Sequence, residues 1–181
     1  LDRFGQIEPK IIFVVDGYYY NGKAHDTISR VKGFLDNLPS IENIVMVEYI
    51  QTYQGDIENC STLLEVLSNQ SENEVVFTYV PFDHPLYILY SSGTTGAPKC
   101  IVHGHGGTLL QHLKEQQLHA DVREDDRVFY FTTCSWMMWN WLVSALASKA
   151  TVMLYDGSPF YPGASALWDY AEAEKFTLFG T

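Results

Sequence analysis

The 181 residues carry a formal net charge of −11, with 46% hydrophobic and 18% charged side chains. That composition describes a packed interior, in one domain or one domain plus part of another, and not a disordered tail. The acidic balance argues against a nucleic-acid surface, which needs clustered Lys and Arg. The longest apolar run, Trp136 to Ala147, is broken by Asn140 and Ser144 and falls short of the roughly 20 residues of a membrane span.

Cys60, Cys100 and Cys134 are an odd set without paired spacing, as expected of reduced thiols in the cytoplasm. No basic leader followed by an apolar segment opens the chain. It starts at Leu1 and stops at "TLFGT", which reads as an internal piece of a longer protein, the remainder of its own chain being its missing partner.

In chain order, "KIIFVVDGYYYNG" begins as an apolar strand and reaches an Asp16-Gly17 turn signal. "HDTISRVKGFLDNL" spaces Ile28, Val31, Phe34 (or Leu35) and Leu38 as an amphipathic helix, with Asp26 as N-cap. "IENIVMVEYI" reads as a buried strand and "STLLEVLSN" as a short helix. "NQSENE" is a loop and "VVFTYV" a further strand. "LYILY" is a strand leading into "SSGTTGAPK", and "TLLQHLKEQQLH" is a helix with Leu109, Leu110, Leu113 and Leu118 along one side. "DRVFYFTT" (strand), "NWLVSALA" (helix), "TVMLYDG" (strand), "SALWDYAEAEKF" (helix) and "TLFGT" (strand) complete the chain. Alternating strands and helices predict an α/β fold with a largely parallel sheet. A soft boundary lies at residues 54–74, with the sheet continuing on both sides of it.

The Ser/Thr/Gly loop carries the chemistry. Ser91, Ser92, Thr94 and Thr95 supply hydroxyls, and Gly93 and Gly96 leave backbone N–H groups open to a ligand. Lys99 adds a cation, and between His84 and Ala120 Glu115 is the only carboxylate. After a strand in an α/β fold, such a loop belongs at the carboxyl edge of the parallel sheet, where phosphates bind. Its spacing is not that of a Walker A loop, which needs four residues between the glycines and Lys-Ser/Thr directly after. An ordinary flexible loop is the alternative reading of the same composition.

"YSSGTTGAPK" resembles the phosphate-binding signature of the adenylate-forming superfamily, which includes acyl-CoA synthetases and luciferases. "DGYYYNGK", "GAPKCIVHGHGGTLLQHLKE", "SWMMWNWLVSALA" and "LYDGSPFYP" are similar to its acetoacetate-activating acid–CoA ligases, from about Val15 to Thr181. The resemblance implies that residues 1–181 are part of the large N-terminal AMP-binding domain. The segments that grip adenine and ribose, and the mobile C-terminal domain with its adenylation lysine, would lie beyond Thr181, so the isolated chain is expected to be inactive. The substrates implied are acetoacetate, ATP with Mg²⁺, and coenzyme A.

By the same resemblance, Ser91, Ser92, Gly93, Thr94, Thr95, Gly96 and Lys99 hold the ATP phosphates. Thr94, Thr95 and Lys99 also serve catalysis by stabilising the leaving pyrophosphate. Trp136 walls the acyl pocket, with Met137 and Met138 near the acyl group; plain core packing is the alternative for all three. Lys23 matches a basic position that touches coenzyme A phosphates in acetate-activating relatives, or is a solvated surface lysine. Two positions depart from the family, Cys134-Ser135 where Gly usually precedes the Trp, and Lys149 where Gly is common. His103 and His105 in "HGHGG" lack a third ligand at a workable spacing, so no metal site is assigned. Rival readings are an acetate or propionate ligase, a non-catalytic nucleotide-binding module and a metal-dependent hydrolase.

Overall fold

The computed structural model describes residues 2–70, 74–91 and 96–181. The chain divides into two compact units, Leu1–Thr78 with Tyr90–Cys100, and Tyr79–Leu89 with Ile101–Thr181.

In the first unit, β1 (Ile11–Val15) pairs in parallel with β4 (Asn43–Val47), from Ile11 opposite Asn43 to Val15 opposite Val47. β4 pairs in parallel with β5 (Cys60–Thr62), giving the order β1-β4-β5. The apolar runs that predict strands supply the core, with Ile12, Ile44, Val45 and Met46 buried. Helix α1 (Ile28–Leu35) adds buried Val31, and Leu38 is buried beyond its end. Asp26 accepts from the Ile28 N–H at 2.8 Å, although Thr27 holds the N-cap position. Helix α2 (Leu63–Ser68) starts on a full capping box between Thr62 and Glu65.

Two elements here have no counterpart in the sequence reading. β2 (Gly17–Tyr20) and β3 (Lys23–Asp26) form an antiparallel hairpin closed by Asn21 and Gly22. Both turn residues have positive φ, 51° and 74°, the requirement of a two-residue turn matched to strand twist. Short β5 is the other. The expected strand over "VVFTYV" is corrected: residues 75–80 have no regular structure. Val75, Val76, Phe77 and Tyr79 are strongly exposed, and β-branched content does not make a strand without a ladder partner.

The second unit carries a parallel sheet in the order β10-β8-β9, from β8 (Arg127–Tyr130), β9 (Thr151–Met153) and β10 (Leu178–Gly180). Adjacent residues of β8 point to opposite faces, and both faces are covered. Val128 joins Trp141, Leu142 and Ala145 from α4 (Met137–Val143) and the 3-10 turn Ser144–Ser148. Phe129 joins Met153 and Leu167 of α5 (Ala166–Glu174), ringed by Tyr170, Phe176 and Phe179. Phe129 stacks on Phe176 with ring centroids 4.9 Å apart; such pairs add about 0.5–1.5 kcal/mol beyond area burial.

β6 (Pro85–Ser91) and β7 (Lys99–Gly104) form a separate two-stranded sheet. Two expectations change. The described strands do not make one continuous sheet, and β6, the strand before the loop, pairs with β7 and belongs to neither parallel sheet. A neighbour joined by a short connection satisfies the ladder locally. Helix α3 (His105–Leu113) follows and runs on as a π-helical turn, Lys114–His119.

Candidate functional site

Of the phosphate-loop residues, Ser92, Gly93, Thr94 and Thr95 lie outside the described residues. Ser91 ends β6, and Lys99 opens β7 with its side chain exposed. Gly96 has φ of +114°, a conformation that L side chains rarely adopt, so this position requires glycine. The two sides of the loop are held by a segment the sequence did not flag. The 3-10 turn Phe4–Gln6 places Gln6 Nε2 2.8 Å from the Pro98 carbonyl, and the Cys100 thiol lies 3.5 Å from Gln6 Oε1. On the other side, the Tyr90 hydroxyl donates to the Arg3 carbonyl at 3.2 Å, with the Arg3 guanidinium 5.7 Å from the Tyr90 ring centre. Burial pushes the Tyr90 hydroxyl pKa up; Cys100 adds to this and Arg3 opposes it.

Lys23, also in the first unit, stands exposed at the start of β3, where the hairpin turn presents it to solvent.

Among the described residues, Trp136, Met137 and Met138 are divided between two clefts. Trp136 is extended and precedes α4, whose first residue is Met137, and successive helical side chains diverge by about 100°. Trp136 and Met138 line a cleft of about 400 Å³ with Tyr130, Phe131 and Thr132. Met137 lines a different cleft of about 510 Å³, with Tyr87, His103, Thr108, His112 and Glu115. The Cys134-Ser135 departure falls in an exposed turn, where the Trp136 N–H donates to the Thr133 carbonyl at 3.0 Å and the Ser135 hydroxyl lies 2.9 Å from that of Thr133.

The face that α3 buries is not the leucine face. Leu109, Leu110 and, in the π-helical turn, Leu118 are exposed and Leu113 is half-buried, whereas His112 of α3 and Gln116 of the π-helical turn are buried. Gln116 Nε2 donates to the Trp141 carbonyl at 2.6 Å and to the Ser144 hydroxyl at 3.0 Å. Those bonds compensate for burying an amide, whose desolvation otherwise costs about 1–3 kcal/mol. His112 Nδ1 and Gln116 Oε1 are buried without a hydrogen-bond partner. Burial holds the His112 imidazole pKa below the ordinary histidine value, with Glu115 pulling it up and His103 pushing it further down.

Among the glycines of "HGHGG", Gly106 serves packing. A Cβ on Gly106 would sit 2.1 Å from the Phe82 ring, and the N–H groups of His105 and Gly106 donate to the His84 and Phe82 carbonyls at 2.9 Å. His105 lies edge-on to His84, while His103 tilts against Tyr87 with ring centres 5.1 Å apart. Among the described residues, no group of three or more His, Cys, Asp or Glu is placed to hold a metal ion.

A family profile described as "AMP-binding enzyme" matches residues 3–181. An acetoacetyl-coenzyme A synthetase of Rhizobium meliloti is 53% identical over 188 aligned positions, covering 100% of this chain and 28% of that protein. A malonamoyl-CoA synthetase of Penicillium aethiopicum is 45% identical over 92% of this chain and 24% of its own length. The solved structure of an acetoacetyl-CoA synthetase from Streptomyces lividans superposes with a TM-score of 0.93 at 46% identity, covering 100% of this chain and 27% of that one. The chain thus spans about a quarter of the length of these relatives.

Proposed function

Because this chain belongs to the AMP-binding enzyme family, we propose that its parent protein is an acid–CoA ligase converting acetoacetate, ATP and coenzyme A to acetoacetyl-CoA, AMP and pyrophosphate. Residues 1–181 then form part of its N-terminal AMP-binding domain. The carrying observation is the 53% identity to an acetoacetyl-CoA synthetase across 100% of the chain. A carboxylate oxygen attacks the α-phosphorus of ATP, the bond to the β-phosphate oxygen breaks, and pyrophosphate leaves. The coenzyme A thiol then attacks the acyl carbon of the adenylate and displaces AMP.

This chain's part is to receive the charge that moves onto pyrophosphate. Lys99 is a cation at the downstream end of the loop, and Thr94, Thr95, Ser91 and Ser92 supply hydroxyls. Gly93 and Gly96 leave backbone N–H groups accessible, Gly96 in a conformation only glycine holds easily. Donors fixed before the reaction stabilise developing charge without reorganising. Mg²⁺ supplies further charge neutralisation when bound with the nucleotide. Lys23 touches coenzyme A phosphates in this reading, and Trp136, Met137 and Met138 contribute to acyl recognition from two clefts.

The two relatives' names also narrow the acid. Acetoacetate and malonamate are short acids that share a carbonyl at carbon 3 and differ in a methyl against an amide nitrogen, so malonamate is the second candidate. Cys60, Cys100 and Cys134 are free thiols, which supports a reducing, cytoplasmic setting. No helix among the described residues is long and apolar enough to cross a membrane.

The test is acyl-CoA formation by the full-length parent protein, followed by mass spectrometry, with acetoacetate, malonamate, acetate and propionate offered separately. Acetoacetyl-CoA should dominate, and Lys99→Ala should lower kcat/KM by about 100-fold, the usual loss for one charge-stabilising donor. Absence of product from every acid would leave only a nucleotide-binding module.

A further inference from the structure

The cleft of about 510 Å³ beside α3 contains a polar group that the phosphate-loop chemistry does not use. His112 lines this cleft yet is only 7% exposed, and its Nδ1 is sealed from solvent without a hydrogen-bond partner. Burial disfavours the charged form of the ring. A neutral imidazole carries one N–H, so it offers a hydrogen bond to a carbonyl oxygen without offering a positive charge.

The other walls restrict the ligand. The Glu115 carboxylate faces the same space and disfavours an anion there. Tyr87 and Thr108 line the cleft as well, and Val102 and Met137 supply apolar surface. An uncharged tail with one carbonyl and a small apolar end suits these walls; a second carboxylate does not. Met137, the residue whose family match puts it beside the acyl group, is a member of this cleft and not of the one lined by Trp136 and Met138.

We propose that His112 is a specificity-determining residue, donating a hydrogen bond from Nε2, the ring nitrogen that is not sealed in the protein, to the carbon-3 carbonyl oxygen of a short 3-oxo acid seated in the α3 cleft. This rests on the acid–CoA ligase reading and adds to it the residue that separates 3-oxo acids from simple fatty acids. A site that hydrogen-bonds a substrate oxygen rejects the analogue lacking it, because the buried protein group is then left unpaired.

The experiment compares acetoacetate with butyrate, the acid of equal length without the oxo oxygen, in the full-length protein bearing His112, His112→Leu or His112→Gln. Each protein's kcat/KM is measured for both acids, and KM for ATP serves as a readout that acyl specificity should not move. In His112→Leu, the acetoacetate-to-butyrate ratio of kcat/KM should fall about 10- to 100-fold. His112→Gln, which keeps a donor, should recover part of it. An unchanged ratio in both variants, or equal loss on both acids with KM for ATP rising in step, overturns the assignment while leaving the ligase reading intact. A wild-type protein that turns over neither acid instead removes the ligase reading itself, and this inference with it.

Discussion

Replacing Asp16 with Ala should loosen the junction from which the β2–β3 hairpin departs. Asp16 is fully buried. Its Oδ1 accepts from the N–H groups of Tyr49 at 2.7 Å and Ile50 at 3.0 Å, and its Oδ2 accepts from Thr52 at 2.8 Å. Its own N–H donates to the Val47 carbonyl, and its carbonyl accepts from the Thr27 N–H, both at 3.1 Å. One carboxylate thus ties the end of β1, the segment after β4 and the start of α1. Three charge-assisted bonds at about 1.5–3 kcal/mol each give about 4.5–9 kcal/mol. Tyr49 and Thr52 are exposed residues, so water replaces part of that, and a loss of about 3 kcal/mol remains. Converted at 1.4 kcal/mol per tenfold, amide exchange in the segment 48–53 should speed up by about 100-fold, read by hydrogen–deuterium exchange mass spectrometry. Asp16→Asn keeps one acceptor and should fall between. Burial pushes the Asp16 carboxyl pKa up, but the N–H groups of Ile50, Thr52, Tyr49 and Tyr53 outweigh it and hold the pKa below its ordinary value. The folded carboxyl is therefore the stronger acid. Its stabilisation is complete above the unfolded pKa of about 3.9 and is lost as pH falls through the folded value. Unchanged exchange in Asp16→Ala would refute this account of the junction.

At Gly17 an added Cβ would lie 2.1 Å from Ile50 Cδ1 and 2.6 Å from the His25 carbonyl oxygen. Because the second neighbour is backbone, Gly17→Ala should destabilise the hairpin by about 2 kcal/mol, seen as faster exchange over residues 17–26. Lys149 closes the 3-10 turn after α4 with φ of 59° and lies 3.1 Å from Glu124. Lys149→Gly should raise thermal stability by up to about 1 kcal/mol, since the relief of the left-handed backbone exceeds the loss of an exposed ion pair; a lowered Tm would reverse that ranking. The depressed pKa of His112 makes the unfolded state bind the extra proton. Its contribution is complete above about pH 6.5 and declines as pH falls below that, and His112→Gln should flatten this part of the Tm-against-pH curve between pH 7.5 and 5.5.

Where a residue's own type and spacing dictate its structure, the sequence by itself determined the outcome. Ile11–Val15, Asn43–Val47 and Arg127–Tyr130 are strands because β-branched and aromatic runs satisfy a ladder and bury well. Val31 is buried as the helical stripe requires, and the Ser/Thr/Gly loop with Lys99 led to the right family. The tertiary structure alone decided which partner each face meets. Residues 75–80 have the composition of a strand but no ladder. The leucines of α3 have helical spacing, yet the buried face carries Gln116, because the Trp141 carbonyl and Ser144 hydroxyl satisfy its amide. Trp136 and Met137 are adjacent in the chain and face different clefts, because a helix begins between them. Gln6 reaches Pro98 across 92 positions, a distance over which local propensity carries no information, and only the folded backbone brings the two together.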